Sequence, residues 1–256
     1  MAISISPFSK SRPTIATILG AAMLLGALFT FTLATRELLA AAKTQLANVE
    51  VRTQAGVPIT ITSINVTSSN PKQPVFTYEV VNPSDKAVSA YAIRHDVTVG
   101  TTETSGVSFT SLWSISSLLD PQTRSPEEFG GTTYGAAVSK VILSVDFVEF
   151  ADGSTWGDDT FKMSEKLAGR RAGGQATLKV FRDKSKTQGL IAVSDALEED
   201  LSIAPQADKS PLWKEGFGEG VRIVRVRLQH AKRKGGIPAL DLELLQPFDL
   251  SEGRQQ

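Results

Sequence analysis

Two imidazoles, His95 and His230, and no cysteine are available for catalysis or metal binding in the 256 residues. That composition removes thiol nucleophiles, iron–sulfur ligation and thiolate zinc sites together. His95-Asp96 sets an imidazole beside a carboxylate, as a general base and its orienting partner would require. Neighbours on a strand point to opposite faces, however, so the two cannot meet in the manner of a catalytic triad. His95 shares parity with Tyr91 and Ile93, which predicts a partly buried structural histidine. Gly153-Ser154-Thr155-Trp156-Gly157 approaches the G-x-S-x-G nucleophile elbow with its serine one place early. Neither G-x-x-x-x-G-K-S/T nor H-E-x-x-H occurs. Gly216-Phe217-Gly218-Glu219-Gly220 is rich in glycine but lacks the G-x-G-x-x-G spacing and the βαβ setting of a nucleotide loop. No catalytic, cofactor-binding or metal-binding residue is therefore assigned. Two weaker chemistries remain. Asp146, Glu149 and Asp152 would serve a hydrolase only if the fold gathered them. Asp152, Ser154, Asp158 and Asp159 would offer oxygens to calcium, but their spacing misses the EF-hand and a hairpin already explains Asp152-Gly153.

Residues suited to binding are more numerous. Trp113 and Trp156 would make a sugar-stacking platform if they stood on the surface of a sheet, although tryptophan in a β-sandwich is more often core. Arg222, Arg225, Arg227, Lys232, Arg233 and Lys234 form a basic stretch without an acid. Its bland explanation is a solvated helix face, and its functional one is contact with anionic lipid or an envelope polymer. Trp113, Trp156, Arg222, Arg225, Lys232 and Arg233 are the candidate contact residues.

The elements that must position these side chains follow from periodicity. From Val49 the pattern alternates with a period of two. Ile59 and Ile61 are followed, after a slip, by Ile64 and Val66. Phe76, Tyr78 and Val80 share a face, as do Tyr91, Ile93, His95, Val97 and Val99. Asn82-Pro83-Ser84-Asp85 is turn chemistry, and Asp120-Pro121 and Ser125-Pro126 read as chain breaks. Val107–Trp113 is a further β-rich run. In Val138–Phe150, Val141, Leu143, Val145 and Phe147 point inward, and a parity switch to Val148 and Phe150 predicts a bulge. Asp152-Gly153 turns the chain into Thr155-Trp156. About seven short strands without intervening helical period predict an immunoglobulin-like antiparallel β-sandwich over residues 49–157, lacking the cysteine pair of antibody domains.

Residues 158–256 read as a helical region. Asp158-Asp159 offers an N-cap, and Gly169, Gly173 and Gly174 predict two shorter helices in place of one long one. Ser210-Pro211 is a helix start. Phe217, Val221, Val224, Leu228 and Ala231 lie on one helical face, which Gly235-Gly236 is expected to end. The rival reading pairs Val224, Val226 and Leu228 with Leu240, Leu242 and Leu244 as a hairpin.

Overall composition is that of a globular protein, with 41% hydrophobic and 21% charged residues and zero formal net charge. The charge is uneven: residues 49–157 carry six bases and eleven acids, and residues 158–256 carry seventeen and fifteen. Residues 1–13 form a basic flank, with Lys10 and Arg12 ahead of a stretch without charge, Thr14–Ala34. A helix of that length spans about 30 Å, the thickness of a bilayer core. The positive flank places the N-terminus in the cytoplasm and the rest of the chain across the membrane. Thr32-Leu33-Ala34 or Ala40-Ala41-Ala42 would suit signal cleavage, whereas the length of the segment favours an uncleaved anchor. Residues 35–48 continue as a helical linker through Leu38, Leu39, Ala42 and Leu46.

Tyr78–Ile93 (YEVVNPSDKAVSAYAI) and Val141–Thr160 (VILSVDFVEFADGSTWGDDT) resemble a group of exported bacterial proteins of acidobacterial type. In that group an N-terminal hydrophobic segment precedes an immunoglobulin-like domain with an N-x-S-D-K turn and a D-F-V-x-F-x-D-G-S-x-W-G hairpin. The resemblance covers about a third of the chain and implies an envelope location and a sandwich fold, with no known activity. The expected protein is a non-catalytic, extracytoplasmic interaction or scaffolding module, anchored in the inner membrane or released into the periplasm. Its expected partners are a protein or a cell-envelope polymer, with the membrane engaged through Thr14–Ala34 and no nucleic acid. Carbohydrate binding through exposed Trp is the alternative, and a hydrolase with dispersed carboxylates the second.

Overall fold

The structure, a computed structural model, describes residues 47–248 apart from 69, 112–118 and 200–202. Thr14–Ala34, residues 35–46 of the expected helical linker and Trp113 lie outside the described residues; the linker's last residue, Asn48, is not helical but begins a strand. Among those described, no helix is long and apolar enough to cross a membrane.

Alternation produces eight strands: β1 (Asn48–Val51), β2 (Thr60–Val66), β3 (Phe76–Val81), β4 (Val88–Val99), β5 (Thr102–Ser111), β6 (Arg124–Phe129), β7 (Val138–Phe150) and β8 (Thr155–Trp156). They form two sheets. The larger has the order β1-β7-β4-β5, with β8 also on β7, and the smaller is β2-β3-β6. Only β1 runs parallel to its neighbour. Phe76, Tyr78 and Val80 of the small sheet share one core with Tyr91, Ile93, Val97, Val141, Leu143 and Val145 of the large one. The predicted turn at Asn82 is present. The buried Asn82 amide donates to the carbonyls of Lys86 and Leu119 at 2.8 and 3.1 Å, and its Oδ1 accepts from Ser84 N.

Two strand expectations are corrected. Ser125-Pro126 does not break the chain: Pro126 lies within β6 opposite Glu79, on the edge of the small sheet where a missing N–H leaves no ladder bond unmade. The bulge in β7 also falls earlier than the hydropathy implied. The β4 register slips between Ala92–Phe147 and Ile93–Val145, so Phe147 turns to the outer face while Val148 and Phe150 return to the core.

That outer face is covered by helices. Ala90, Ala92 and Phe147 pack with Met163 and Leu167 at the start of α1 (Met163–Ala196). The small alanines of β4 leave room for a helix on a face that alternation alone would assign to water. Asp159 accepts from the amides of Met163 and Ser164 at 2.6 and 3.2 Å, capping α1. Ser210 caps α2 (Pro211–Leu245) by accepting from Trp213 N at 3.1 Å, with proline at the first position.

The three glycines expected to divide α1 do not interrupt it. Helical geometry runs through Gly169, Gly173 and Gly174 and is broken only at Gly189. Those glycines are where α2 touches α1. A Cβ on Gly169 or Gly173 would lie 2.0 or 2.1 Å from the carbonyl oxygens of Trp213 or Phe217. Reciprocally, a Cβ on Gly216 or Gly220 would lie 2.0 Å from the carbonyls of Lys166 or Arg170. Each helix thus offers a G-x-x-x-G pair to the backbone of the other. The glycine-rich string at 216–220 is a helix-crossing surface. Lys166 meets Glu215 at 2.7 Å and Arg170 meets Glu219 at 3.0 Å one turn later, so the long arms run parallel.

Val221–Leu245 is helical, so the hairpin reading fails for it. As expected, Gly235-Gly236 ends the first helical arm of α2: both residues leave helical geometry, and Gly236 adopts φ 64° and ψ −153°, a region open essentially to glycine alone, before a second arm begins. The break is a reversal. Arg227 Nε reaches Glu243 Oε1 at 2.7 Å, although sixteen residues of straight helix would separate them by about 24 Å. Leu240, Leu244 and Phe248 then join Leu178, Phe181, Val224 and Leu228 in a second core. All strands and helices belong to one compact unit.

Candidate functional site

The basic stretch of α2 divides into two sets. Arg225 donates to the carbonyls of Glu199 and Leu197 at 2.6 and 3.3 Å, and Lys232 donates to Ser194 O at 2.9 Å and pairs with Glu198 at 2.9 Å. Both close off carbonyls at the C-terminal end of α1, where cations are also favoured by the helix dipole. Arg182 does the same for the end of α2 through Leu244 O at 2.7 Å. Arg222, Arg233 and Lys234 are exposed. The candidate contacts Arg225 and Lys232 are thus structural, while Arg222 and Arg233 remain on the surface.

Arg222 lines a groove of about 1070 Å³ between the two arms of α2. One arm contributes the stripe Arg222, Val226, His230 and Lys234 at four-residue spacing, and the returning arm contributes Ala239 and Leu242. Val226 and Leu242 are 53% and 64% exposed, so the groove displays apolar side chains to water. Its one lining acid, Glu243, is paired with Arg227, and Arg222, His230 and Lys234 are left along the rim. The hydropathy period placed Val224 and Leu228 inside. It carried no sign of the groove, which exists only because the helix folds back at Gly236.

Trp156 is half-buried against the sandwich core, leaving little of its ring as a platform. The carboxylates each have local partners. Asp146, in the β7 bulge, accepts from the amides of Thr160 and Phe161. Glu149 is buried and receives Arg171 at 2.6 and 2.8 Å and Ser89 at 2.6 Å. Asp152 receives Lys86 at 2.8 Å and Ser154 N at 2.8 Å in the hairpin, which holds its carboxyl below the usual range. Among the described residues no three His, Asp or Glu side chains are placed to hold a metal ion. Asp96 turns away from His95, toward Arg94 Nε at 2.7 Å and Ser105 Oγ at 2.6 Å.

Compared with known proteins, the chain matches no family model and no curated sequence.

Proposed function

We propose that the protein is a non-catalytic interaction module of a bacterial cell envelope. In this reading its two-sheet part is an immunoglobulin-like sandwich, Thr14–Ala34 anchors or exports it, and the partner is a protein. The observation that carries the reading is the α2 groove. Two antiparallel helical arms leave a trough that a third helix fills, as in helix-in-groove recognition. The apolar floor at Val226 and Leu242 favours an amphipathic segment, and the rim of Arg222, His230 and Lys234 favours an acidic one. Local partners for Asp146, Glu149 and Asp152 support a structural role for these carboxylates.

A photo-crosslinking side chain at position 242 of the full-length protein, in living cells, tests this. The expected result is one discrete protein adduct, lost when Arg222→Glu and Lys234→Glu are combined. No adduct, or one indifferent to charge reversal, refutes the reading.

A further inference from the structure

β5 is the edge strand of the large sheet, paired on one side only, with β4. On the face that β5 shares with His95 stand Thr104, Gly106 and Ser108, where a core would place apolar residues. A cleft of about 370 Å³ opens there, with Phe129 and Tyr134 among its walls. That is the lower end of the roughly 300–1,000 Å³ typical of small-molecule sites.

Three observations give the cleft a chemistry. First, His95 is 3% exposed, lines the cleft and has no hydrogen-bond partner at Nε2. An unmade bond on a buried polar atom costs about 1–3 kcal/mol, so such an atom calls for a partner. Second, Gly106 pairs directly across from His95, and a Cβ built on it meets nothing within 4 Å, so the space beside the imidazole is open. Third, the lining has no Lys or Arg, and its one carboxylate is Glu128. Burial pushes His95 down to about 4, leaving a neutral imidazole at pH 7. An anion would meet no countercharge here, and a wholly apolar ligand would leave the hydroxyls of Thr104, Ser108 and Tyr134 unpaired.

We propose that this cleft binds a neutral polyhydroxylated ligand, one sugar unit of a glycan, which hydrogen-bonds to His95 Nε2, Thr104 and Ser108 and packs on the rings of Phe129 and Tyr134. Phe129, half-buried, is fixed by stacking on Phe76 and by a tilted contact with His95, both at 4.7 Å between ring centroids. Tyr134 N donates to Lys72 O at 2.8 Å, fixing the loop that carries it. The site is distinct from the α2 groove and does not depend on a partner binding there.

The test uses the full-length protein in detergent and a panel of neutral trisaccharides (maltotriose, cellotriose and chitotriose), with trigalacturonate as the charged control, titrated by calorimetry. At least one neutral trisaccharide is expected to bind with a millimolar or tighter Kd, and trigalacturonate at least tenfold more weakly. Gly106→Leu places its Cβ where nothing lies within 4 Å and directs the rest of the side chain into the cleft, and is expected to weaken binding at least tenfold with Tm unchanged. His95→Phe keeps the ring stack but deletes the polar atom; binding is expected to fall by a similar factor while Tm holds or rises. The proposal is overturned if no neutral sugar binds, if trigalacturonate binds as tightly as the neutral sugars, or if either substitution leaves affinity intact.

Discussion

Replacing Gly216 by alanine isolates what holds the helices together. In an unconstrained helix the change is favourable by about 1 kcal/mol, since glycine gives up more backbone freedom than alanine. Here the new methyl carbon would lie 2.0 Å from Lys166 O, against an ordinary contact of 3.4 Å or more, so α2 must move away from α1 by over 1 Å. Backbone cannot rotate aside as a flexible side chain can. The movement also loosens the crossings at Gly169, Gly173 and Gly220 and the pairing of Glu219 with Lys166 and Arg170. Overpacking costs of about 1–3 kcal/mol, together with the weakened ion pairs, give a net loss of about 2–4 kcal/mol. Gly218 is the control, two residues away in the same helix, where an added Cβ meets nothing within 4 Å. Gly218→Ala should therefore stabilise by up to about 1 kcal/mol. Urea unfolding followed by far-UV circular dichroism reads both. Should the two alanines agree within about 0.5 kcal/mol, the reasoning from close backbone approach is wrong.

Two further outcomes follow from buried polar groups. The unfolded chain takes up a proton at His95 near pH 6.5, while the folded chain resists until about 4. Stability assigned to His95 is thus fully present above pH 6.5 and falls as the pH drops toward 4, by about 3 kcal/mol in all. Denaturation midpoints of wild type and His95→Phe should diverge through that window, and parallel curves would refute the buried neutral imidazole. Arg171→Met leaves Glu149 buried opposite no countercharge and should cost about 3 kcal/mol, of which Glu149→Gln in the same chain restores a part. Urea midpoints of the single and double variants measure this, and additive losses would count against a coupled pair.

Much of the strand layout was legible in order. Phe76, Tyr78 and Val80, or Tyr91, Ile93, His95 and Val97, announce an inward face because a pleated strand alternates every residue and a half-buried sheet must match that period. The slip in β2 and the turn at Asn82 were equally visible, since bulges and side-chain-capped turns depend on adjacent residues. The helical period of Phe217, Val224 and Leu228 also held. Gly235-Gly236 was read correctly as a helix end, but Gly169, Gly173 and Gly174 were misread, because propensity describes an isolated helix. At Gly169 and Gly216 the deciding contact comes from a backbone some fifty residues away. Ala90 and Ala92 were silent for the same reason, their small size acquiring meaning only once α1 lies on them.

For candidate function the division is sharper. Sequence alone established the missing thiols, the absent nucleotide and metalloprotease motifs, the uncharged Thr14–Ala34 segment and the basic run in α2. It could not say which of those bases close helix ends and which face water; Arg225 and Lys232 were separated from Arg222 by carbonyls contributed by α1. Nor could it show the groove or the cleft. Both are concave, and concavity arises where elements distant in sequence leave space between them. The reversal at Gly236 makes one, and the small residues of edge strand β5 beside His95, facing Phe129 and Tyr134, make the other.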